Sequence, residues 1–266
     1  MKQIPIAVQV YSVRQEAEAD FAGTMKKLAE MGYDGVELAG LYGKTAEEIK
    51  NVLDENGLTA VSAHVPVEEL EKDMEGTLDT YASLGCKWIA IPWLGEDRRY
   101  GAEKYEETLQ LIGKISESCK KRGIQLLYHN HDFEFQKTPE GVYHLDQLYL
   151  DAPKGVLDAE LDLCWVTVGG AEPCGYLEKY AGRCPLVHMK DFRREDEKVV
   201  LLPLGDGVVD IKSVAKTGIE GGAQWFVIEQ DDHPYGEPMD DMEKGCLLYT
   251  SPSPRDYAAS RMPSSA

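Results

Sequence analysis

The stretch Tyr128 to Phe135, YHNHDFEF, sets two imidazoles, His129 and His131, two residues apart with Asp132 and Glu134 close behind, in a chain that has six histidines. Other polar groups recur near the ends of apolar runs: Gln9, Glu37, His64, Glu160 with Asp162, His188 with Lys190 and Asp191, and Glu229 with Asp231. Side chains of an extended chain alternate faces with a period of two, so His129 and His131 share a face, as do His188 and Lys190, and Glu229 and Asp231. Polar groups placed inside core strands must satisfy one another or a ligand. A convergent set of imidazoles and carboxylates suits a divalent ion of intermediate hardness, such as Mn²⁺, Co²⁺, Fe²⁺ or Zn²⁺. Each residue alone has a plainer reading: a strand histidine is commonly a hydrogen-bonded core group, and Lys190 with Asp191 could form just an ion pair. A metal is favoured because several separate runs end in ligand-type residues that must all be satisfied in one small space. His144, in a helical pattern, and His233, in a loop, receive no role.

The elements that would position these groups are eight short apolar runs, at 4–13, 35–38, 58–65, 87–94, 124–130, 155–163, 185–191 and 224–231. Amphipathic stretches lie between them. In DFAGTMKKLAEMGY, Phe21, Met25 and Leu28 fall at helical spacing, Asp20 is an N-cap and Gly32 a stop. TAEEIKNVLDENGL repeats the plan from Thr45 to Gly57, and another helical stretch stops at Gly123. Strands alternating with helices predict parallel β–α–β units, and eight of them predict an α/β chain closed into a (β/α)8 barrel. An open doubly wound sheet would usually carry a Gly-rich turn after its first strand, and YSVRQEAEAD has no glycine. The longest irregular stretch is FRREDEKVVLLPLGDG (192–207), after the seventh strand; its GDG could offer backbone N–H groups, but the acidic neighbours disfavour an anion.

A net charge of −19 argues against a nucleic-acid partner, because a phosphate backbone repels an acidic surface. No run reads as a membrane span, and MKQIPIAVQV leads directly into a strand pattern. Six scattered cysteines without a C-x-x-C pair point to reduced thiols in a cytoplasmic protein. A homo-oligomer is compatible with the sequence. The C-terminus is different. CLLYTSPSPRD (246–256) resembles the translation of a transposase-type sequencing adapter, and SRMPSSA resembles the next adapter part in the same frame. The expectation is one barrel domain over 1–245, a non-native tail over 246–266, and an eighth helix cut short.

Taken together, YHNHDFEF, ELDLCWVTVGGAEP, VHMKDF, PLGDGVVD and FVIEQD, with QVYSVR and GYDGVELAG near the start, resemble the sugar phosphate isomerase/epimerase family of xylose isomerase-like TIM barrels. The resemblance covers essentially all of 1–245. It implies one divalent metal, Mn²⁺ first and Co²⁺, Fe²⁺, Zn²⁺ or Mg²⁺ as alternatives, held by strand-end residues: His129, Asp162, His188 and Glu229. At His129 many relatives carry a glutamate that can also move a proton, so the chain departs from them there.

The chemistry implied is proton transfer next to the carbonyl of a ketose or keto-sugar through an enediolate, giving isomerisation or epimerisation. Loss of a β-substituent from the same intermediate would make the protein a lyase or dehydratase of a 3-keto sugar, keto-glycoside or keto-inositol. Glu229 is the first choice of base, with His131, Glu134 and Lys190 as further proton carriers. Gln9, Glu37, His64 and Trp93 would bind sugar hydroxyls or stack on the ring. A non-catalytic sugar-binding barrel should lose metal ligands, and an endonuclease should have a basic face. Neither fits this sequence.

Overall fold

The computed structural model describes residues 4–250. Its strands are β1 (Ile6–Gln9), β2 (Gly35–Leu38), β3 (Thr59–His64), β4 (Trp88–Ile91), β5 (Gln125–His129), β6 (Asp158–Asp162), β7 (Leu186–Met189), β8 (Asp191–Glu195), β9 (Lys198–Leu202) and β10 (Trp225–Ile228). Strands β1 to β7 and β10 form a closed parallel barrel, β10 pairing with both β7 and β1, so no barrel edge is left unpaired. The helices that follow the barrel strands start where the sequence places caps. Asp20 accepts the Gly23 N–H at 3.0 Å, and Thr45 and Glu48 close a reciprocal capping box. Gly32 ends the first long helix at φ 107°, a left-handed conformation that costs any residue with a Cβ.

Period-two alternation divides the barrel interior into two levels. Ala7, Val61, Trp88, Leu127, Leu186 and Val227 form an apolar plug. Two residues further along β1, β5, β7 and β10 come Gln9, His129, His188 and Glu229, all buried. β3 reaches the polar level through an irregularity: Val36 pairs with Ala60 but Glu37 with Ser62, so Val61 is an extra residue. Val61 therefore joins the plug while Ser62 turns to Glu37 and His64 to Glu160.

One expectation is corrected. The stretch 192–207 is not irregular throughout, because β8 and β9 form an antiparallel hairpin. Its two-residue turn is Asp196–Glu197, with φ of 45° and 71°. Tight hairpins need positive φ at both central residues, and this one obtains it without the glycine that usually signals it. The last helix runs Pro238–Thr250 and so crosses the boundary expected at Gly245. It packs on β10 and on the first long helix: Met242 and Cys246 are buried, and the Tyr33 hydroxyl donates to the Met242 carbonyl at 2.9 Å. The rest of the tail, 251–266, lies outside the described residues. Among the described residues no helix is long and apolar enough to cross a membrane, and no disulfide forms.

Candidate active site

Strands β5, β6, β7 and β10 bring His129, Asp162, His188 and Glu229 together, with one ligand-type atom from each within 4.8 Å of the others. His188 Nδ1 lies 3.0 Å from Glu229 Oε2, and His129 Nε2 lies 3.9 Å from Asp162 Oδ2. Asp162 Oδ2 is buried and accepts no hydrogen bond, although the Lys190 ammonium stands 3.1 Å away. A buried carboxylate oxygen with an open lone pair, facing two imidazoles and a second carboxylate, fits a divalent cation.

YHNHDFEF accounts for much of this geometry. Asn130 pins β6 from the side: its amide donates to the Asp162 carbonyl at 3.2 Å, and its oxygen accepts the Asp162 N–H at 3.0 Å. Asp162 in turn caps the helix Leu163–Val168 through the Trp165 N–H at 2.9 Å. His131 stacks on Phe133 with ring centroids 5.5 Å apart, and Arg99 covers the Phe133 ring at 3.5 Å. Burial, with Lys190 nearby, pushes the His131 imidazole down to about 3, so it is neutral at pH 7.

Lys190 and Glu134, expected as proton carriers, are placed elsewhere. The Lys190 ammonium is buried, 2.8 Å from Asp231, 2.9 Å from Glu229 and 3.1 Å from Asp162, and its charge is tied up among them. It makes no ion pair with Asp191, which instead accepts the N–H groups of Phe192, Gly205, Gly207 and Val209. The GDG donors are thus taken from within the chain. Glu134 is swung behind the site by the short turn Phe133–Phe135, where Tyr128 Oη donates to it at 2.6 Å and the His131 N–H at 2.8 Å. There it holds the His131 main chain.

Burial raises the Glu134 carboxyl to about 8, despite the Tyr128 and His131 hydrogen bonds. The folded state therefore binds this proton more tightly than the unfolded chain, whose value is about 4.3. The resulting stability is complete below that value and is lost as pH rises through about 8. Glu134→Gln is expected to flatten this window: in urea titrations the wild type should lose ground to the variant between pH 5 and pH 9. An unchanged difference would count against it.

Gln9 and Glu37 lie beneath the site and not on its wall, a second correction. Glu37 accepts from Gln9 Nε2 at 2.7 Å and from the Ser62 hydroxyl, and its Oε2 is 2.8 Å from His188 Nε2. Burial opposes its charge, but His64 and His188 hold the carboxyl well below the usual range. Glu160 was noted among the polar strand ends but given no role; its Oε2 is 2.6 Å from His64 Nε2. Burial and the neighbouring Glu37 charge raise the Glu160 carboxyl to about 7. Burial alone would lower His64, yet Glu37 and Glu160 lift it to about 10.

Above the quartet opens a cavity of about 520 Å³ walled by Tyr11, Trp93, His64, His131, Glu229 and Asp231 among others. Trp93 and Tyr11 are 45% and 44% exposed, which leaves aromatic faces for a ring. Asp231 was also given no role. Burial raises its carboxyl to about 6, with Lys190 opposing and Glu229 adding to the rise.

Known proteins share this architecture. An inosose dehydratase of Clostridium beijerinckii is 23% identical over 253 residues, 82% of this chain and 84% of that protein. The crystal structure of a sugar phosphate isomerase/epimerase from Parabacteroides distasonis superposes with a TM-score of 0.80 at 22% identity, over 95% of this chain and 96% of that one. That of a probable 3-DHS dehydratase, AsbF, from Bacillus anthracis does so with a TM-score of 0.69 at 14% identity, over 94% and 100%. The model of the xylose isomerase-like TIM barrel family matches residues 25–250, and the chain belongs to that family.

Proposed function

We propose that the protein is a divalent-metal-dependent dehydratase of a cyclic keto-polyol of the inosose type. The observation that carries this reading is the ligand quartet opening into a cavity whose wall also holds two proton-exchanging groups, His131 and Asp231. The match to an inosose dehydratase along most of both chains favours water loss over isomerisation or epimerisation. Mn²⁺ is the ion expected for two imidazoles and two carboxylates. Held by His129, Asp162, His188 and Glu229, a divalent ion would act as a Lewis acid toward the substrate carbonyl.

The chain's own groups handle the protons. Glu229, the first choice of base from the sequence, is less suited. Burial opposes its charge, but Lys190 and His188 hold its carboxyl well below the usual range. His131 lines the cavity and is neutral; burial makes it a weak base too, but unlike Glu229 it is tied up in no ion pair, so it takes the α-proton. Asp231 exchanges a proton close to neutrality and gives that proton to the substrate's departing hydroxyl. One C–H and one C–O bond break, one C=C bond forms, and water leaves.

Incubation of the Mn²⁺-loaded protein with inosose should give a product lighter by one water in mass spectrometry. Product of unchanged mass would replace this reading with isomerisation. His131→Ala is expected to lower kcat by about 10²–10⁴ with little change in KM; an unaltered kcat would remove His131 from proton transfer.

A further inference from the structure

Beside the ligand quartet, and sharing two of its residues, lies a second convergence centred on Glu160. Glu160 Oε2 is 2.6 Å from His64 Nε2, 3.3 Å from His129 Nδ1 and 3.4 Å from His188 Nε2. One ligand-type atom from each of these four residues lies within 4.8 Å of the others. Neighbouring corners of a zinc tetrahedron are about 3.3 Å apart for bonds of about 2.0–2.1 Å, so two of these three separations match a ligand shell. Two atoms here, His129 Nδ1 and Glu160 Oε1, are buried without a hydrogen-bond partner.

The two quartets share His129 and His188, and each ring turns a different nitrogen to each. His129 presents Nδ1 to Glu160 and Nε2 to Asp162, at 3.3 and 3.9 Å. His188 turns Nδ1 to Glu229 at 3.0 Å and Nε2 to Glu160 at 3.4 Å, with Glu37 closer to that Nε2 at 2.8 Å. We propose that the barrel holds two overlapping metal seats that compete for one ion: an inner seat of His64, His129, Glu160 and His188, and an outer seat of His129, Asp162, His188 and Glu229.

Competition follows from the donor chemistry. A neutral imidazole has one free lone pair, so filling both seats at once would require two imidazolates. Selectivity follows from the donor count. Three nitrogens and one carboxylate suit Zn²⁺, whereas two nitrogens and two carboxylates suit Mn²⁺ or Mg²⁺. The Lys190 ammonium stands beside the outer carboxylates, 3.1 Å from Asp162 and 2.9 Å from Glu229, and opposes a cation there. Zinc in the inner seat takes both shared rings and excludes manganese from the outer one. This inference rests on the metal-centre reading through the shared histidines and is independent of which reaction the cavity performs.

The test is calorimetric titration of the chelator-stripped full chain with Zn²⁺ and with Mn²⁺ separately, then with Mn²⁺ after one equivalent of Zn²⁺. Glu160→Gln and His64→Asn each remove an inner-seat donor and no outer one; Asp162→Asn removes only an outer donor. Both inner variants are expected to weaken Zn²⁺ at least about tenfold more than Mn²⁺; Asp162→Asn should do the reverse. Co²⁺ should show intense four-coordinate visible absorption in wild type and weak absorption in Glu160→Gln. Equal weakening of both ions in the inner variants would overturn the proposal, as would simultaneous uptake of one Zn²⁺ and one Mn²⁺. Should one inner variant misfold, the other carries the comparison. Failure to dehydrate inosose with the ion discrimination intact would sink the dehydratase reading alone.

Discussion

Lys190→Met is expected to destabilise the metal-free protein by about 3–5 kcal/mol, because removing one partner leaves buried charge uncompensated. The ammonium is the shared partner of Asp162, Glu229 and Asp231, and methionine keeps the volume of the stem while deleting the charge. For a chain of this size the loss amounts to roughly 10 °C in melting temperature. Adding Mn²⁺ should recover much of it, since a divalent ion near Asp162 and Glu229 replaces the lost positive charge. Thermal unfolding with and without Mn²⁺ measures both effects. A melting temperature unchanged by the substitution would mean that these carboxylates are relieved in some other way.

Asp162→Asn should separate chemistry from scaffold. Asparagine caps a helix about as well as aspartate, so the hydrogen bond from the Trp165 N–H survives. The Asn130 contacts go to the Asp162 backbone and survive as well. What disappears is an anionic ligand atom and one buried negative charge. Turnover is expected to fall by about three orders of magnitude, about 4 kcal/mol of transition-state stabilisation, with a melting temperature equal to or above that of wild type. Parallel losses of turnover and melting temperature would assign Asp162 to the scaffold.

The barrel was legible because its signal is periodic: apolar runs, caps and stops repeat along the chain, and a closed sheet is what such repetition builds. The residues of the site were legible for a related reason. A polar group two places beyond an apolar plug residue, as in Leu127–His129 or Val227–Glu229, stays on the interior face whatever the details of the loops. Depth was not legible. Glu160 and Asp162 share a face of β6, and only the relative stagger of the strands decides which lies lower. The extra residue in β3 moved Ser62 onto the buried level of Glu37, and with Gln9 these became floor, not wall, while His64 reaches the cavity. The direction of Glu134 depends on one short turn, and the β8–β9 hairpin was missed because its turn residues, Asp196 and Glu197, carry no glycine signature.

Asp191 has a consequence of its own. Loops whose successive N–H groups point inward make concave anion holders, and phosphate is the usual guest. Here the carboxylate of Asp191 is that guest, fed by Gly205, Gly207 and Val209, with no room at Gly207 for a Cβ. The loop after the hairpin is thus moulded around a resident anion and keeps its shape before any ligand arrives. A phosphorylated molecule reaching this loop would find those donors already spent.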